Sequence, residues 1–125
     1  MTETFDLFQQ GRDHLAQGRA AQATVPLEKA KKLEPEKASI REALGIAYFR
    51  LARWRDAERE FRTIVEDLSP TDHYAHYALG RALRNQGRHD EAATHLKLAR
   101  SLRPRPAREG LEDDQVDSTS ETTDG

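Results

Sequence analysis

Residues 38–72 read ASIREALGIAYFRLARWRDAEREFRTIVEDLSPTD and contain two amphipathic patterns separated by a short turn. Apolar residues recur at helical spacing in both patterns: Leu44, Ala47, Tyr48 and Leu51 in the first, and Ala57, Phe61, Ile64, Val65 and Leu68 in the second. Neither helix can bury its apolar stripe alone, because that face needs a packing partner. The stretch therefore predicts a helix-turn-helix unit that packs against neighbouring units.

The same pattern occurs three times along the chain. Four sets of residues repeat at intervals of 34 and then 35 positions: Gly11, Gly45 and Gly80; Ala23, Ala57 and Ala92; Leu27, Phe61 and Leu96; and Ala30, Ile64 and Ala99. Prolines 35, 70 and 104 close the units. A period in the thirties indicates a stacked solenoid rather than a globule with one core. The units are 4–37, 38–72 and 73–104.

Glycines stand at two kinds of position within these units. Gly18 and Gly87 fall between the two helices of a unit, where a residue in the left-handed conformation ends the first helix. Gly11, Gly45 and Gly80 fall inside first helices, where glycine costs about 1 kcal/mol relative to alanine. We expect a neighbouring helix to approach closely at these three positions.

The units resemble the tetratricopeptide repeat family over residues 4–104. Unit two carries the pattern best, with the run from Leu44 to Tyr48 followed by Ala57, Phe61 and Pro70. The resemblance implies an all-α fold: a right-handed superhelical solenoid of three helix-turn-helix repeats with about six antiparallel helices. Unit one departs from the pattern at Gln10 and His14, and Pro26 lies inside its second helix, where it removes a hydrogen bond and is expected to kink or delay the helix.

The resemblance also implies an inner groove, lined by the first helix of each unit, that holds a peptide from a partner. We predict that seven residues on this groove bind the partner: Phe8, Arg12, Ile46, Arg50, Tyr77, Arg81 and Arg84. Arginine binds carboxylates bidentately and stacks on aromatic rings, which favours an acidic peptide with apolar anchors. The alternative is that the aromatic residues only pack helices and the arginines form a solvated face.

One subclass of the family clamps the C-terminal carboxylate of chaperone proteins with lysine, asparagine and arginine residues. The matching positions here are occupied by Phe8, Arg12, Ala43, Tyr74 and Ala78. Only Arg12 is basic, so the sequence disfavours a chaperone-carboxylate adaptor.

Charge divides the chain into two parts. Positions 1–103 hold 18 basic and 15 acidic residues, a net charge of +3, whereas positions 104–125 hold two basic and seven acidic residues, a net charge of −5. Few large apolar residues occur in the second part, so it cannot offset the entropy lost on ordering. We expect a repeat domain over 1–104 and an acidic, disordered tail over 105–125, which either visits the groove or only solubilises the protein.

Two further partners remain as alternatives to a peptide. The last helix carries Leu96, Leu98 and Leu102 with no obvious helix to cover them, which favours a self-associating scaffold. Nucleic-acid binding is less favoured: Arg81, Arg84 and Arg88 lie near tyrosines that could stack bases, but acidic residues alternate with the arginines.

Several classes of function find no support in the sequence. The chain has no cysteine, which excludes disulfides and thiolate metal sites. His73 and His76 could share a metal ion, but no third ligand is evident, so we expect no metal site and no cofactor. Phosphate-binding loops and nucleophile elbows are missing, which predicts a protein that is not an enzyme. With no signal peptide or membrane span evident, we expect a cytoplasmic protein without a membrane partner.

Overall fold

The structure is a computed structural model that describes residues 3–104. This part of the chain forms six α-helices and no strand. Their bounds are Glu3–Ala16 (α1), Ala20–Leu33 (α2), Ala38–Arg50 (α3), Trp54–Thr63 (α4), His73–Arg84 (α5) and His89–Leu102 (α6). A short π-helical segment, Ile64–Leu68, continues α4. The predicted all-α fold is confirmed, while the prediction of an acidic, disordered tail over 105–125 lies outside the described residues.

Each helix packs against the one before it, so that the pairs α1–α2, α3–α4 and α5–α6 stack into one array. A continuous core runs through this stack and includes Leu27 of α2, Leu44 of α3, Phe61 of α4 and Leu79 of α5. The predicted helical solenoid is therefore confirmed. No helix within residues 3–104 is long and apolar enough to cross a lipid bilayer.

The three interior glycines each face a large side chain of the next helix. A Cβ atom added to Gly45 would stand 2.7 Å from the Phe61 ring, and one added to Gly80 would stand 2.7 Å from Cγ of Leu96. Gly11 meets Leu27 in the same way, at still closer range. The close approach predicted from the sequence is therefore present in all three helix pairs.

The turn between the paired helices follows one hydrogen-bonding scheme in each unit. Gly18 and Gly87 have φ angles of 75° and 81°, as predicted for left-handed caps. In unit two the same place is taken by Ala52, with a φ of 59°. The next residue then donates its amide five positions back, as from Arg53 to the Tyr48 carbonyl at 2.9 Å. Unit two thus adopts the glycine conformation with an alanine.

Pro26 does not delay the start of the second helix of unit one, contrary to one of the two effects expected from the sequence. Helix α2 runs from Ala20 to Leu33, and Pro26 is buried within it. The equivalent positions are Glu60 in unit two and His95 in unit three. The same position on the second helix therefore carries a proline, a carboxylate and an imidazole in the three units.

In unit two this site is an ion-pair network. Glu60 is only 3% exposed, and its carboxylate accepts hydrogen bonds from Lys31 Nζ at 2.7 Å and from Arg41 Nη1 at 3.0 Å. Arg41 also donates through Nε to the Pro35 carbonyl at 2.8 Å. A buried carboxylate with two cations is compensated, so the network fixes α2, α3 and α4 relative to one another.

Replacing Ala52 by glycine should stabilise the protein. Alanine has a steric cost in the left-handed region that glycine avoids. Glycine loses more chain entropy on folding, which offsets part of this gain. We therefore expect Ala52→Gly to raise the free energy of unfolding by about 0.5–1 kcal/mol. Urea denaturation measures this directly. The matched control is Ala93→Gly, on the exposed face of α6, which should lower the free energy of unfolding by about 1 kcal/mol. Equal effects of the two changes would contradict the strain at Ala52.

Adding one methyl group at Gly45 should destabilise the protein, whereas the same change in an ordinary helix is stabilising. Glycine to alanine in a helix usually stabilises by about 1 kcal/mol. Here the new Cβ would overlap the buried Phe61 ring, and such overpacking costs about 1–3 kcal/mol. We expect Gly45→Ala to lower the free energy of unfolding in the same urea titration; an increase would show that the ring can move away.

Candidate functional site

Three depressions follow one another along the first helices of the stack. The N-terminal depression lies between α1 and α3 and has a volume of about 410 Å³. The central depression lies between α3 and α5, with a volume of about 240 Å³. The C-terminal depression lies beside α5 and α6 and measures about 500 Å³. Neighbouring depressions share lining residues: Ile46 and Arg50 line the first two, and Tyr74 and Tyr77 line the second and third. The N-terminal and central depressions, which lie between first helices, are together called the groove.

Six of the seven predicted binding residues line this groove. Phe8 and Arg12 are in the N-terminal depression, Tyr77 and Arg81 are in the central one, and the two residues shared by these depressions complete the set. Arg84 does not join them, because it lines the C-terminal depression with Leu96 and Arg100. The structure therefore brings together six of the predicted residues and separates the seventh.

Aromatic rings position two of the groove arginines. The guanidinium carbon of Arg12 lies 5.6 Å from the centre of the Phe8 ring. That of Arg81 lies 5.1 Å from the Phe49 ring and 5.8 Å from the Tyr77 ring, between side chains of α3 and α5. These cation–π contacts hold a guanidinium in place. Arg81 also donates through Nη1 to the Tyr77 hydroxyl at 3.5 Å, and its other N–H groups remain available to further partners.

The groove arginines have no carboxylate partner within residues 3–104. Arg50 donates to the Leu15 carbonyl at 2.9 Å, and neither Arg12 nor Arg81 takes part in an ion pair there. Arginines elsewhere in the stack do pair with acids, as Arg62 does with Glu58 at 2.8 Å. The groove therefore presents positive charge that the described part of the chain does not neutralise.

Glu42 is the one acidic side chain among the described residues that line the groove. Burial raises the pKa of its carboxyl group, and the negative charge of Asp72 raises it further, whereas Arg12 lowers it. In the central depression, burial raises the pKa of the Tyr74 hydroxyl, which keeps this group neutral at physiological pH. The positive charge of the groove is thus only partly offset.

The aromatic residues divide between packing and exposure. Phe8, Ile46 and Phe49 pack against the core with part of their surface. Tyr74 and Tyr77 are 38% and 44% exposed, which is high for rings of this size. Each of the two interpretations of the sequence therefore applies to part of the groove. Some apolar residues hold helices together, and the tyrosines offer exposed aromatic surface.

Sequence reasoning missed the cations of the C-terminal depression other than Arg84. Arg100 and Arg103 lie near the end of α6 and line it, together with His73. Their only signal in the sequence is basic charge on the last helix of an array, which is too common to identify a site.

A family model described as "Tetratricopeptide repeat" matches residues 42–108, which is more than half of the chain. The chain belongs to the tetratricopeptide repeat family. A comparison with curated protein sequences finds no match.

Solved structures of other tetratricopeptide repeat proteins resemble this one. A mutant of MamA is 25% identical, with a TM-score of 0.78 over 84% of this chain and 76% of that chain. The second tetratricopeptide repeat domain of Spaghetti (RPAP3), bound to the HSP90 peptide SRMEEVD, is 16% identical, with a TM-score of 0.77 over 82% of this chain and 94% of that chain. The first such domain, bound to the same peptide, is 22% identical, with a TM-score of 0.77 over 83% and 82%. At 16% and 22% identity, the similarity to the two Spaghetti domains shows a shared fold alone.

His73 and His76, adjacent on one helix face in the sequence, are not paired in this tetratricopeptide repeat structure. His76 instead contacts His95 of α6, with 3.1 Å between their Nδ1 atoms and their rings stacked. Nε2 of His76 lies 2.8 Å from the Pro70 carbonyl, so Nε2–H of His76 donates to that oxygen, and Nδ1 of His76 accepts a hydrogen bond from Nδ1–H of His95. Residues 3–104 contain no cluster of three or more potential metal ligands. The histidine pair occupies the place of Arg41 and Glu60 in unit two.

The histidine pair should make stability depend on pH. Burial lowers the pKa of His95 below its ordinary 6.5, as do His76 and Arg62, while Glu91 and Glu66 raise it. Because the folded state holds the proton less tightly than the unfolded state, this stabilisation is complete above pH 6.5 and is lost as the pH falls toward the lowered value. The free energy of unfolding should therefore decrease from pH 7 to pH 5, by at most about 1.4 kcal/mol per pH unit for one proton.

His95→Gln tests this assignment because glutamine can still donate to His76 but does not titrate in this range. Urea titrations at a series of pH values should show a shallower slope between pH 5 and pH 7 for this variant. His89→Gln, which changes an exposed histidine at the start of α6, should keep the wild-type slope. An unchanged slope in His95→Gln would remove the pair as its source.

Proposed function

We propose that this chain is a protein-interaction module that binds an acidic peptide segment in the groove formed by the N-terminal and central depressions. The observation that carries the proposal is the set of three arginines there: rings hold Arg12 and Arg81, the Leu15 carbonyl accepts from Arg50, and none of the three forms an ion pair within the described residues. Support also comes from the two Spaghetti domains, whose fold is the same and whose bound peptide, SRMEEVD, has three acidic residues.

The chemistry of the groove suggests how such a peptide is recognised. A carboxylate can accept two hydrogen bonds from one guanidinium, and Arg12 and Arg81 are already oriented for this by the rings beneath them. Apolar side chains of the peptide would pack on Ile46 and on the exposed face of Tyr77. The arrangement is therefore one of alternating acidic and apolar anchors.

The spacing of the arginines sets the length of the bound segment. Arg12 is on α1 and Arg81 is on α5, two helix spacings apart in the stack. Packed helices are about 8–10 Å apart, which gives roughly 20 Å between the two sites. An extended chain covers this distance in about six residues. We therefore expect two acidic positions about six residues apart, with an apolar anchor between them.

The carboxylate-clamp subclass remains disfavoured for this chain. Phe8 and Ala43 stand in the N-terminal depression, and Tyr74 and Ala78 in the central one, at positions where the resemblance calls for polar side chains. A free carboxyl terminus would find only Arg12 there. We propose that the acidic side chains of the peptide, rather than its terminus, carry recognition.

Nucleic-acid binding is weaker than the peptide proposal on structural grounds. Of the three clustered arginines considered for it, Arg88 donates to both Glu58 and Glu91 at 2.8 Å and is not available to a phosphate. Arg81 is held between rings and Arg84 lies in another depression. The cluster therefore does not act as one basic patch.

One exposed leucine favours the alternative function, a self-associating scaffold. Leu98 is 40% exposed, but the equivalent residues of units one and two are Lys29, which is exposed, and Thr63, which is half-buried. Leu96, in contrast, is partly buried and lines the C-terminal depression. The exposure of Leu98 therefore does not mark the end face, and this alternative stays a prediction.

A peptide array tests the proposed function on the full chain. Wild-type protein should select seven-residue to ten-residue peptides with two separated acids and an apolar residue between them. Arg12→Glu/Arg81→Glu should bind the selected peptides at least a hundred-fold more weakly, because each lost charged contact is worth about tenfold and the new charges repel the ligand.

Arg19→Glu/Arg55→Glu is the matched control, since it reverses two exposed arginines outside the groove that have no ion pair within the described residues. It should retain wild-type affinity, and binding should weaken as salt is raised. Selection of peptides without acids, or equal losses in the two double variants, would refute the groove assignment.

A further inference from the structure

The C-terminal depression is a second positively charged surface, which adjoins the groove at Tyr74 and Tyr77. Its floor is apolar and aromatic, with Leu96, Ala99, Tyr74 and Tyr77. Arg84, Arg100 and Arg103 surround this floor together with His73, and no acidic residue of the described chain lines it. None of these three arginines takes part in an ion pair within residues 3–104.

This depression corresponds to the place where a following unit packs in the inner part of the stack. Helix α5 packs on α4, where Phe61 of α4 and Ile64 of the following π-helical segment are 1% and 0% exposed. The equivalent residues of α6 are Leu96 and Ala99; Ala99 is buried, but Leu96 keeps part of its surface open. The described residues thus leave part of this end of the stack uncovered.

A second copy of the chain is a poor match for the site. Ile40, Ala43 and Leu44 form a buried face of α3, the helix that packs on α2. The residues 34 positions earlier, which a second copy would bring into the C-terminal depression on α1, are Asp6, Gln9 and Gln10, all exposed. Stacking of α1 on α6 would place amides against Leu96 instead of apolar side chains.

The chain itself supplies a segment of complementary charge directly after this site. Positions 104–125 follow Arg103 and carry two basic and seven acidic residues. Glu109, Glu112, Asp113 and Val116 are spaced as the contact face of one helix would be, at i, i+3, i+4 and i+7. This pattern matches a site with an apolar floor and a basic rim.

The connection is long enough for these acids to reach every part of the depression. Six residues from Arg103 to Glu109 span up to about 20 Å when extended. Helix α5, which borders the depression, has 12 residues and is about 18 Å long. A short connection within one chain gives an effective concentration in the millimolar range.

We propose that the acidic segment 109–117 of this chain docks in the C-terminal depression, with its carboxylates on Arg84, Arg100 and Arg103. The site differs from the groove predicted for the tail from sequence, and the charge and the short connection both favour it. The groove already contains Glu42, and two of its three arginines, Arg12 and Arg50, belong to earlier units.

The absence of cysteine from the chain allows a direct test. Gln115→Cys provides a single attachment point for a nitroxide spin label in the full-length protein. The label should strongly broaden the amide signals of Leu96, Ala99 and Arg100, and leave those of Phe8 and Ser39 in the N-terminal depression nearly unchanged. Broadening spread evenly over the six helices, or centred on Phe8, would overturn the proposal.

Two matched charge reversals show whether the arginines are responsible. Arg100→Glu/Arg103→Glu in the labelled chain should abolish the local broadening, whereas Arg19→Glu/Arg55→Glu should leave it unchanged, with circular dichroism showing that both remain folded. Broadening that survives the first pair would overturn the proposal. A mixture of isotope-labelled and spin-labelled molecules should show no broadening; if it does, the segment binds a second copy and docking within one chain is wrong.

Discussion

The contact between a glycine of one helix and a large side chain of the next determines how close the paired helices come. Gly45 lies against Phe61, Gly80 against Leu96 and Gly11 against Leu27, at ranges that no Cβ atom would permit. Phe61 also lines the central depression beside Ile46 and Arg50 of α3. The same side chain therefore packs on Gly45 and forms part of the binding surface, so the shape of that surface depends on the glycine contact.

The sequence was sufficient wherever a local requirement repeats with the period of the units. Gly18 and Gly87 were predictable because the same turn recurs, and the interior glycines because the same close approach recurs. Ala52 was not predictable as a left-handed residue, since its side chain disfavours that conformation and only the capping bonds of the turn impose it. The side-chain hydrogen bonds of Glu60 and His95 could not be predicted either, because their partners belong to other helices.

The charges of the site show the same limit. In sequence, Arg81, Arg84 and Arg88 are three similar residues around the end of the first helix of unit three. In the structure they have different surroundings: aromatic rings around Arg81, an open depression around Arg84 and two carboxylates around Arg88. Spacing along one helix reveals only neighbours three or four residues apart. The pairing of Arg88 with Glu58 crosses between units, and the stack must be known before it can be seen.

The groove and the C-terminal depression are physically linked because both are lined by Tyr74 and Tyr77. These rings separate the two spaces, and the helix that carries them is held by the contact of Gly80 with Leu96. Since the backbone there has little room to move, an occupant on one side can affect the other mainly through the orientation of the two tyrosine side chains. Ligands that compete for the same ring surface weaken each other by equal factors. The docked acidic segment and a peptide in the central depression would therefore oppose each other without any change in the fold.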